Sequence, residues 1–144
     1  MARVDFYLLS DVDEDARHRF VCRLAYKAVN ERLRVHVHAR DASHATLLDR
    51  LLWEYPDHQF LPHALDGDPN AVPAPLVIGH AEPKAEAALL INLGDDVPGF
   101  FGRFERVAEV VIEPQKKAGR DRYRYYRERG HALFHHELDR WEEK

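Results

Sequence analysis

The chain has 144 residues, with 21 lysines and arginines against 25 aspartates and glutamates, so its formal net charge is −4. The 45% of hydrophobic residues is too high for a disordered chain, and the acidic average argues against a uniformly basic surface that coats nucleic acid. The length fits one domain over residues 1–144. No apolar run approaches the ~20 residues of a membrane helix, and the N-terminus has no charged segment before an apolar core. We therefore expect a cytoplasmic protein without membrane contact.

Strand-like and helix-like segments alternate along the first part of the chain. β-branched and aromatic runs indicate strands, and apolar residues at three- and four-residue steps indicate helices. The predicted elements are a strand at 4–9, a helix at 14–32, a strand at 35–38 and a helix at 42–55. Pro56 would end the second helix. The one cysteine, Cys22, lies on the apolar face of the first helix, so we predict an inert, buried thiol.

The second part of the chain continues the alternation after a proline-rich loop at 66–75. The predicted elements are strands at 76–78 and 88–91, a helical turn at 98–104, a strand at 107–112 and a final helix at 116–129. Gly130 would end that helix. Short, continuously apolar strands are typical of a sheet that helices cover on both faces. The pattern therefore predicts an α/β fold of three layers with an open, mainly parallel sheet.

No motif indicates catalysis, a metal or a cofactor. The first strand-to-helix turn, residues 9–15, has four carboxylates and no glycine, and no glycine of the chain belongs to a phosphate-binding pattern. Asp11, Asp13 and Asp15 resemble the opening of a calcium loop, but no glycine follows at its sixth position, which favours a helix N-terminus. The histidine pairs 36/38 and 131/135 lack the further ligands that zinc needs. We predict no catalytic residue, no metal and no cofactor.

The segment 116–130 stands out by its charge. Seven cations and two carboxylates give it a net charge of +5, so the rest of the chain carries −9. On a helix, one face would carry Lys116, Arg120, Tyr123 and Arg127, with Arg124 beside it. Arginine forks bind carboxylates in pairs, so this face suits an acidic peptide or a nucleic-acid backbone. A solvated helix whose tyrosines, Tyr126 above all, pack on the sheet is the alternative.

Large aromatic residues and prolines occupy residues 52–67. Trp53 and Phe60 flank the end of a helix and a loop that prolines stiffen. Burial in the core is the ordinary position for either residue alone. Two aromatic side chains near a rigid loop are also typical of a protein–protein hot spot.

Together these motifs resemble the chi subunit family of bacterial DNA polymerase III holoenzyme. The resemblance covers nearly the whole chain and rests on Phe6-Tyr7-Leu8-Leu9, Val21-Cys22, the Leu52-Trp53 to Gly67 block and the Arg120 to Gly130 pattern. It implies a Rossmann-like fold without a phosphate-binding loop and a non-catalytic, replisome-associated accessory of the clamp loader. Any nucleotidyl transfer would belong to the polymerase. In this family chi links the holoenzyme, through the psi subunit, to the acidic C-terminal tail of single-stranded-DNA-binding protein, which ends in Pro-Phe.

The resemblance also implies two partner sites. The site for the tail would comprise Lys116, Arg120, Tyr123 and Arg124, with Val111 as an apolar neighbour. Arg120 would bind the terminal carboxylate, and Tyr123 would wall a pocket for the terminal phenylalanine. Trp53 and Phe60 would face psi, or in some relatives a helicase. Nucleic acid would be contacted only indirectly; the alternative is that helix 116–130 binds single-stranded nucleic acid directly.

Overall fold

One sheet of seven parallel strands organises the chain. The computed structural model describes residues 2–10, 12–54, 61–68, 74–84 and 86–138. Within these residues the strands are β1 (Arg3–Leu9), β2 (Val35–His38), β3 (His63–Leu65), β4 (Leu76–Gly79), β5 (Leu89–Asn92), β6 (Arg106–Ile112) and β7 (Ala132–Leu138). Their order across the sheet is β3-β4-β2-β5-β6-β1-β7, and every neighbouring pair is parallel. The predicted α/β class and parallel sheet are confirmed.

Three helices connect strands of this sheet. They are α1 (Glu14–Asn30), α2 (Ala42–Glu54) and α3 (Lys116–Glu128). The Asp13 carboxylate accepts a hydrogen bond from the backbone N–H of Ala16 at 2.9 Å and so caps α1. Asp13 therefore stands at a helix N-terminus, which is the interpretation that the sequence favoured over a calcium loop. Gly130 follows α3 with a φ of 77°, a left-handed conformation that favours glycine and stops the helix. No helix among the described residues has both the length and the apolar character needed to cross a bilayer.

The helices cover the sheet on two faces and enclose two apolar clusters. On one face α1 and α2 pack side chains such as Cys22 and Leu48 against the strands. On the other face α3 and a 3₁₀ turn at Phe101–Arg103 pack with Phe6 and Tyr126. All four residues of β5 are buried, as expected for a central strand covered on both faces. The result is a three-layer, Rossmann-like arrangement.

Two strands were absent from the sequence prediction, and both lie at the edges of the sheet. β3 has three half-buried residues, too few to show a period. β7 is an edge strand in which four of seven residues are exposed, so its sequence ALFHHEL lacks a regular apolar pattern. The predicted helices agree with α1, α2 and α3 to within two residues. Pro56 and Phe60 fall outside the described residues.

Candidate functional site

A cavity of about 360 Å³ lies between α3 and the outer strands β6, β1 and β7. Its apolar lining comes from Phe6 and Leu8 of β1 and from Val111 of β6. The other lining residues are Lys116, Gly119, Arg120 and Tyr123 of α3 and His135 of β7. A cavity of this size is at the lower end of those that hold small ligands, and it can accept one large peptide side chain.

Gly119 allows α3 to approach the sheet closely beside this cavity. A Cβ at this position would lie 3.0 Å from both γ carbons of Val111, closer than side-chain carbons ordinarily pack. Glycine inside a helix costs about 1 kcal/mol relative to alanine. The close contact with Val111 is therefore the physical reason for a glycine here, and it determines how near α3 lies to β6.

Aromatic rings form one wall of the cavity. The half-buried ring of Tyr123 meets Phe6 edge to face at a centroid distance of 5.4 Å. On its other side it lies at 36° to the ring of His135, with the centroids 4.9 Å apart. Because neighbours on two strands support Tyr123, its ring is held at a defined angle over the apolar floor.

Cations stand at the rim of the cavity. Arg120 is exposed, and within the described residues its guanidinium has neither a carboxylate nor a hydrogen-bond partner. Lys116 Nζ lies 3.0 Å from Glu113 Oε2, but both side chains are largely exposed, so this ion pair contributes little. An apolar pocket with an unpaired guanidinium at its mouth suits a ligand that combines a ring with a carboxylate.

Four of the five residues predicted for the tail site, Val111, Lys116, Arg120 and Tyr123, line this cavity together. The fifth, Arg124, is not among the lining residues; its side chain is 68% exposed and points a nitrogen to within 3.9 Å of Asp121. Sequence reasoning did not place Phe6, Leu8, Gly119 and His135 at this cavity. The alternation of β1 offered a signal for Phe6 and Leu8, whereas His135 had none because β7 was not predicted.

A buried polar network fixes α3 on the sheet. Glu109 of β6 is fully buried and accepts hydrogen bonds from Arg122 Nε (2.8 Å), the Tyr126 hydroxyl (2.7 Å) and Asn92 Nδ2 (2.8 Å). Arg122 Nη1 also donates to the carbonyl of Asp95 at 3.0 Å. Burial raises the pKa of Glu109, while the Arg122 charge and the hydrogen bonds act against that rise.

The network changes the interpretation of the charge on segment 116–130. Arg122 counted among its seven cations, yet it is 5% exposed and its charge is compensated by Glu109. Tyr126 packs on the sheet as predicted and is completely buried. The exposed positive charge of α3 is therefore smaller than the sequence count, and at the cavity it comes from Lys116 and Arg120.

Trp53 lies on the other side of the molecule. It belongs to α2, which packs on the face of the sheet opposite α3, and it is 61% exposed. Its ring centroid is 4.7 Å from that of His63 on β3. Leu47 of the same helix is also exposed. The core position considered for Trp53 is therefore wrong, since most of its side-chain surface is exposed.

Side chains of α1 occupy part of the crevice that binds nucleotides in related folds, and a cavity of about 290 Å³ lined by Arg17, Gln115 and Lys117 remains beside them. Such crevices lie at the carboxyl ends of neighbouring strands whose following helices cover opposite faces of the sheet, which in this chain are β1, followed by α1, and β6, followed by α3. Arg17 is buried there and donates to the Val110 carbonyl at 2.9 Å and to Glu14 Oε1 at 3.0 Å. Gln115 Nε2 donates to Glu14 Oε2 at 2.8 Å, a hydrogen bond that connects α1 to the turn before α3.

Among the described residues, one group has the composition of a metal site: Glu14, His18 and His44, whose ligand atoms lie within 4.8 Å of one another. The backbone N–H of Arg40 donates to His44 Nδ1 (3.1 Å), which places the proton of that ring on Nε2. This Nε2–H points at His18 Nε2, 3.0 Å away. A metal would need both Nε2 lone pairs, so the hydrogen bonds favour a structural role. Burial lowers the pKa of both rings, for His44 to about 4, which keeps them neutral.

Comparison with known proteins identifies the family. Residues 1–134 match the family model described as DNA polymerase III chi subunit, HolC. The chain is 41% identical over 142 residues to the DNA polymerase III subunit chi of Pseudomonas aeruginosa, covering 97% of this chain and 99% of that protein. The protein of the same name from Escherichia coli K12 is 30% identical, over 92% of this chain and 96% of its own length. The one from Haemophilus influenzae is 26% identical, over 89% of this chain and 92% of its own length. The chain belongs to the family of DNA polymerase III chi subunits.

Proposed function

We propose that this chain is a non-catalytic accessory subunit of DNA polymerase III that binds the acidic C-terminal tail of single-stranded-DNA-binding protein in the cavity beside α3. Family membership supports the association with the polymerase. The observation that carries the tail site is the Arg120 guanidinium, which has no partner in the part of the chain that the structure describes, at the mouth of an apolar cavity walled by Tyr123 and Val111.

The chemistry of the tail matches the parts of the cavity. The ring of its terminal phenylalanine fits between Tyr123 and the floor made by Phe6 and Val111. Its free carboxylate pairs with Arg120, since a guanidinium fork binds a carboxylate through two parallel hydrogen bonds. Lys116 at the rim and Arg124 outside it attract the acidic residues upstream, a long-range effect that salt weakens.

The exposed Trp53 surface is the proposed site for the psi subunit or, in its place, a helicase. Because α2 and α3 cover opposite faces of the sheet, a protein bound at Trp53 leaves the cavity beside α3 open. The chain can thus bind two partners at once, which is what a linking subunit has to do. In this arrangement nucleic acid is reached through the partners.

Peptide titration tests the tail site. A labelled peptide ending in Pro-Phe should bind the wild-type protein, and Arg120→Ala should weaken binding by about ten- to a hundredfold, the range for one hydrogen-bonded charge. Arg127→Ala is the matched control, because Arg127 is an exposed cation of the same helix that does not line the cavity. It should change the affinity by less than about threefold. Equal binding by wild type and Arg120→Ala, or none by either, would refute the site.

Direct binding of single-stranded nucleic acid by α3 is the second candidate. The exposed cations of the helix favour it, whereas the net charge of −9 on the rest of the chain opposes it. Binding of a labelled oligonucleotide at increasing salt separates the two functions. Tight binding at moderate salt, with a steep salt dependence and no partner protein, would favour direct recognition of nucleic acid over the proposed role.

A further inference from the structure

We propose that His135 makes tail binding depend on pH, so that the affinity rises as the pH falls from about 8 to about 5.5. This inference rests on the proposed function. His135 stands on β7 and lines the same cavity as Arg120 and Tyr123. Its ring is exposed, and within the described residues neither ring nitrogen has a hydrogen-bond partner. A carboxylate that enters the cavity therefore meets a histidine with both nitrogens available.

The position of His135 is fixed by the sheet. In the parallel register it is the partner of Phe6, so both side chains project toward α3, and Tyr123 packs against both rings. The ring thus forms the wall of the cavity supplied by β7, while Arg120 is supplied by α3. A bound peptide terminus would be held between two elements that are not neighbours along the chain.

The charges around His135 determine the sign of the pH effect. From α3 it faces Lys116, Arg120 and Tyr123, and on β7 the next residue on the same face is Glu137. The β1 side chains on this face, Val4, Phe6 and Leu8, are apolar. In the empty cavity the charged side chains that share the lining with His135 are the two cations of α3.

Ligand binding adds a negative charge to this lining. A bound carboxylate pairs with the imidazolium form of the ring, so binding is coupled to proton uptake. By linkage, a lower pH then strengthens binding, because histidine is the side chain that ordinarily gains its charge between pH 8 and pH 5. The carboxylates of the peptide stay ionised over this range.

The test is the affinity of a labelled peptide ending in Pro-Phe, measured from about pH 5.5 to about pH 8 at constant salt. We expect the wild-type protein to bind about three- to tenfold more tightly at the lower pH. His135→Gln and His135→Phe should abolish that difference; because the readout is the ratio of the affinities at the two pH values, a general loss of affinity from altered packing does not imitate the effect. His136→Gln is the matched control: His136 is the next residue on the strand, but it faces the opposite side and bonds Asp5 Oδ1 at 2.9 Å. It should retain the wild-type pH dependence.

The outcomes separate this inference from the proposed function. If Arg120→Ala loses binding at every pH but both His135 variants keep the wild-type pH dependence, the role of His135 is overturned and the tail site stands. If neither the wild-type protein nor any variant binds the peptide, both the tail site and the role of His135 are refuted. A flat pH profile for the wild-type protein would overturn the role of His135 alone.

Discussion

An Arg122→Met substitution would leave the Glu109 carboxylate buried without its cation. Glu109 is completely inaccessible and Arg122 is 5% exposed, so solvent cannot replace the lost charge. Arg122 Nε lies 2.8 Å from Glu109 Oε1, and its Nη1 lies 3.0 Å from the Asp95 carbonyl. Methionine keeps much of the aliphatic volume of the arginine, so the change tests the charge and its hydrogen bonds rather than the packing.

Removing one partner of a buried ion pair costs about 3–5 kcal/mol of unfolding free energy. That is a large fraction of the roughly 5–15 kcal/mol that stabilises a domain. The matched control is Arg124→Met, because Arg124 belongs to the same helix but is 68% exposed and lies 3.9 Å from an exposed Asp121 carboxylate. We expect that control to cost less than about 1 kcal/mol.

The loss of unfolding free energy caused by Arg122→Met should also depend on pH. Burial already raises the pKa of Glu109 above the 4.5 of a free glutamate side chain, and without the Arg122 charge the folded-state pKa rises further. The folded variant then holds a proton more tightly than the unfolded chain. The variant therefore recovers stability as the pH falls toward 4.5, and it loses that stability as the pH rises through the folded-state pKa.

Urea unfolding at about pH 5 and about pH 7.5 measures both effects for the wild type, Arg122→Met and Arg124→Met. The double variant Arg122→Met with Glu109→Gln should be more stable than Arg122→Met at the higher pH, because no charge is left buried. The reasoning is refuted if Arg122→Met costs no more than the control, or if its cost grows on acidification.

Three further predictions concern the cavity and the core. Gly119→Ala places a methyl group 3.0 Å from the Val111 γ carbons, so we expect the free energy of unfolding to fall by about 1–3 kcal/mol and tail binding to weaken. Val111→Ala should partly restore both, and unchanged unfolding and binding would contradict the close approach of α3 to β6. Glu113→Gln removes a carboxylate 3.0 Å from Lys116 Nζ and should tighten tail binding about two- to fivefold at low salt, measured by peptide titration; an unchanged affinity would exclude Lys116 from steering the tail. Burial raises the pKa of the Cys22 thiol to about 12, so a thiol reagent should label the native protein no faster than it unfolds, whereas rapid labelling would show an accessible thiol.

The basic helix shows where prediction from sequence succeeds and where it stops. Helical spacing placed Lys116, Arg120, Tyr123 and Arg127 on one face; the first three line one cavity, whereas Arg127 is not among its lining residues. The same spacing does not say which arginines face solvent. Arg122 is buried because β6 carries Glu109 opposite it, a residue thirteen positions earlier in a different element, and no local pattern marks the pair.

Local sequence by itself determined five of the seven strands, the three helices, the parallel sheet class, the acidic N-terminus of α1 and the resemblance to the chi family, because periodicity and motif spacing act over a few residues. The cavity beside α3, in contrast, exists only in the tertiary structure. Strand pairing sets Phe6 beside His135, two residues 129 positions apart, and Gly119 brings α3 close enough for Tyr123 to pack against both rings. A contact between residues so far apart in the chain depends on sheet register, which no short stretch of sequence encodes.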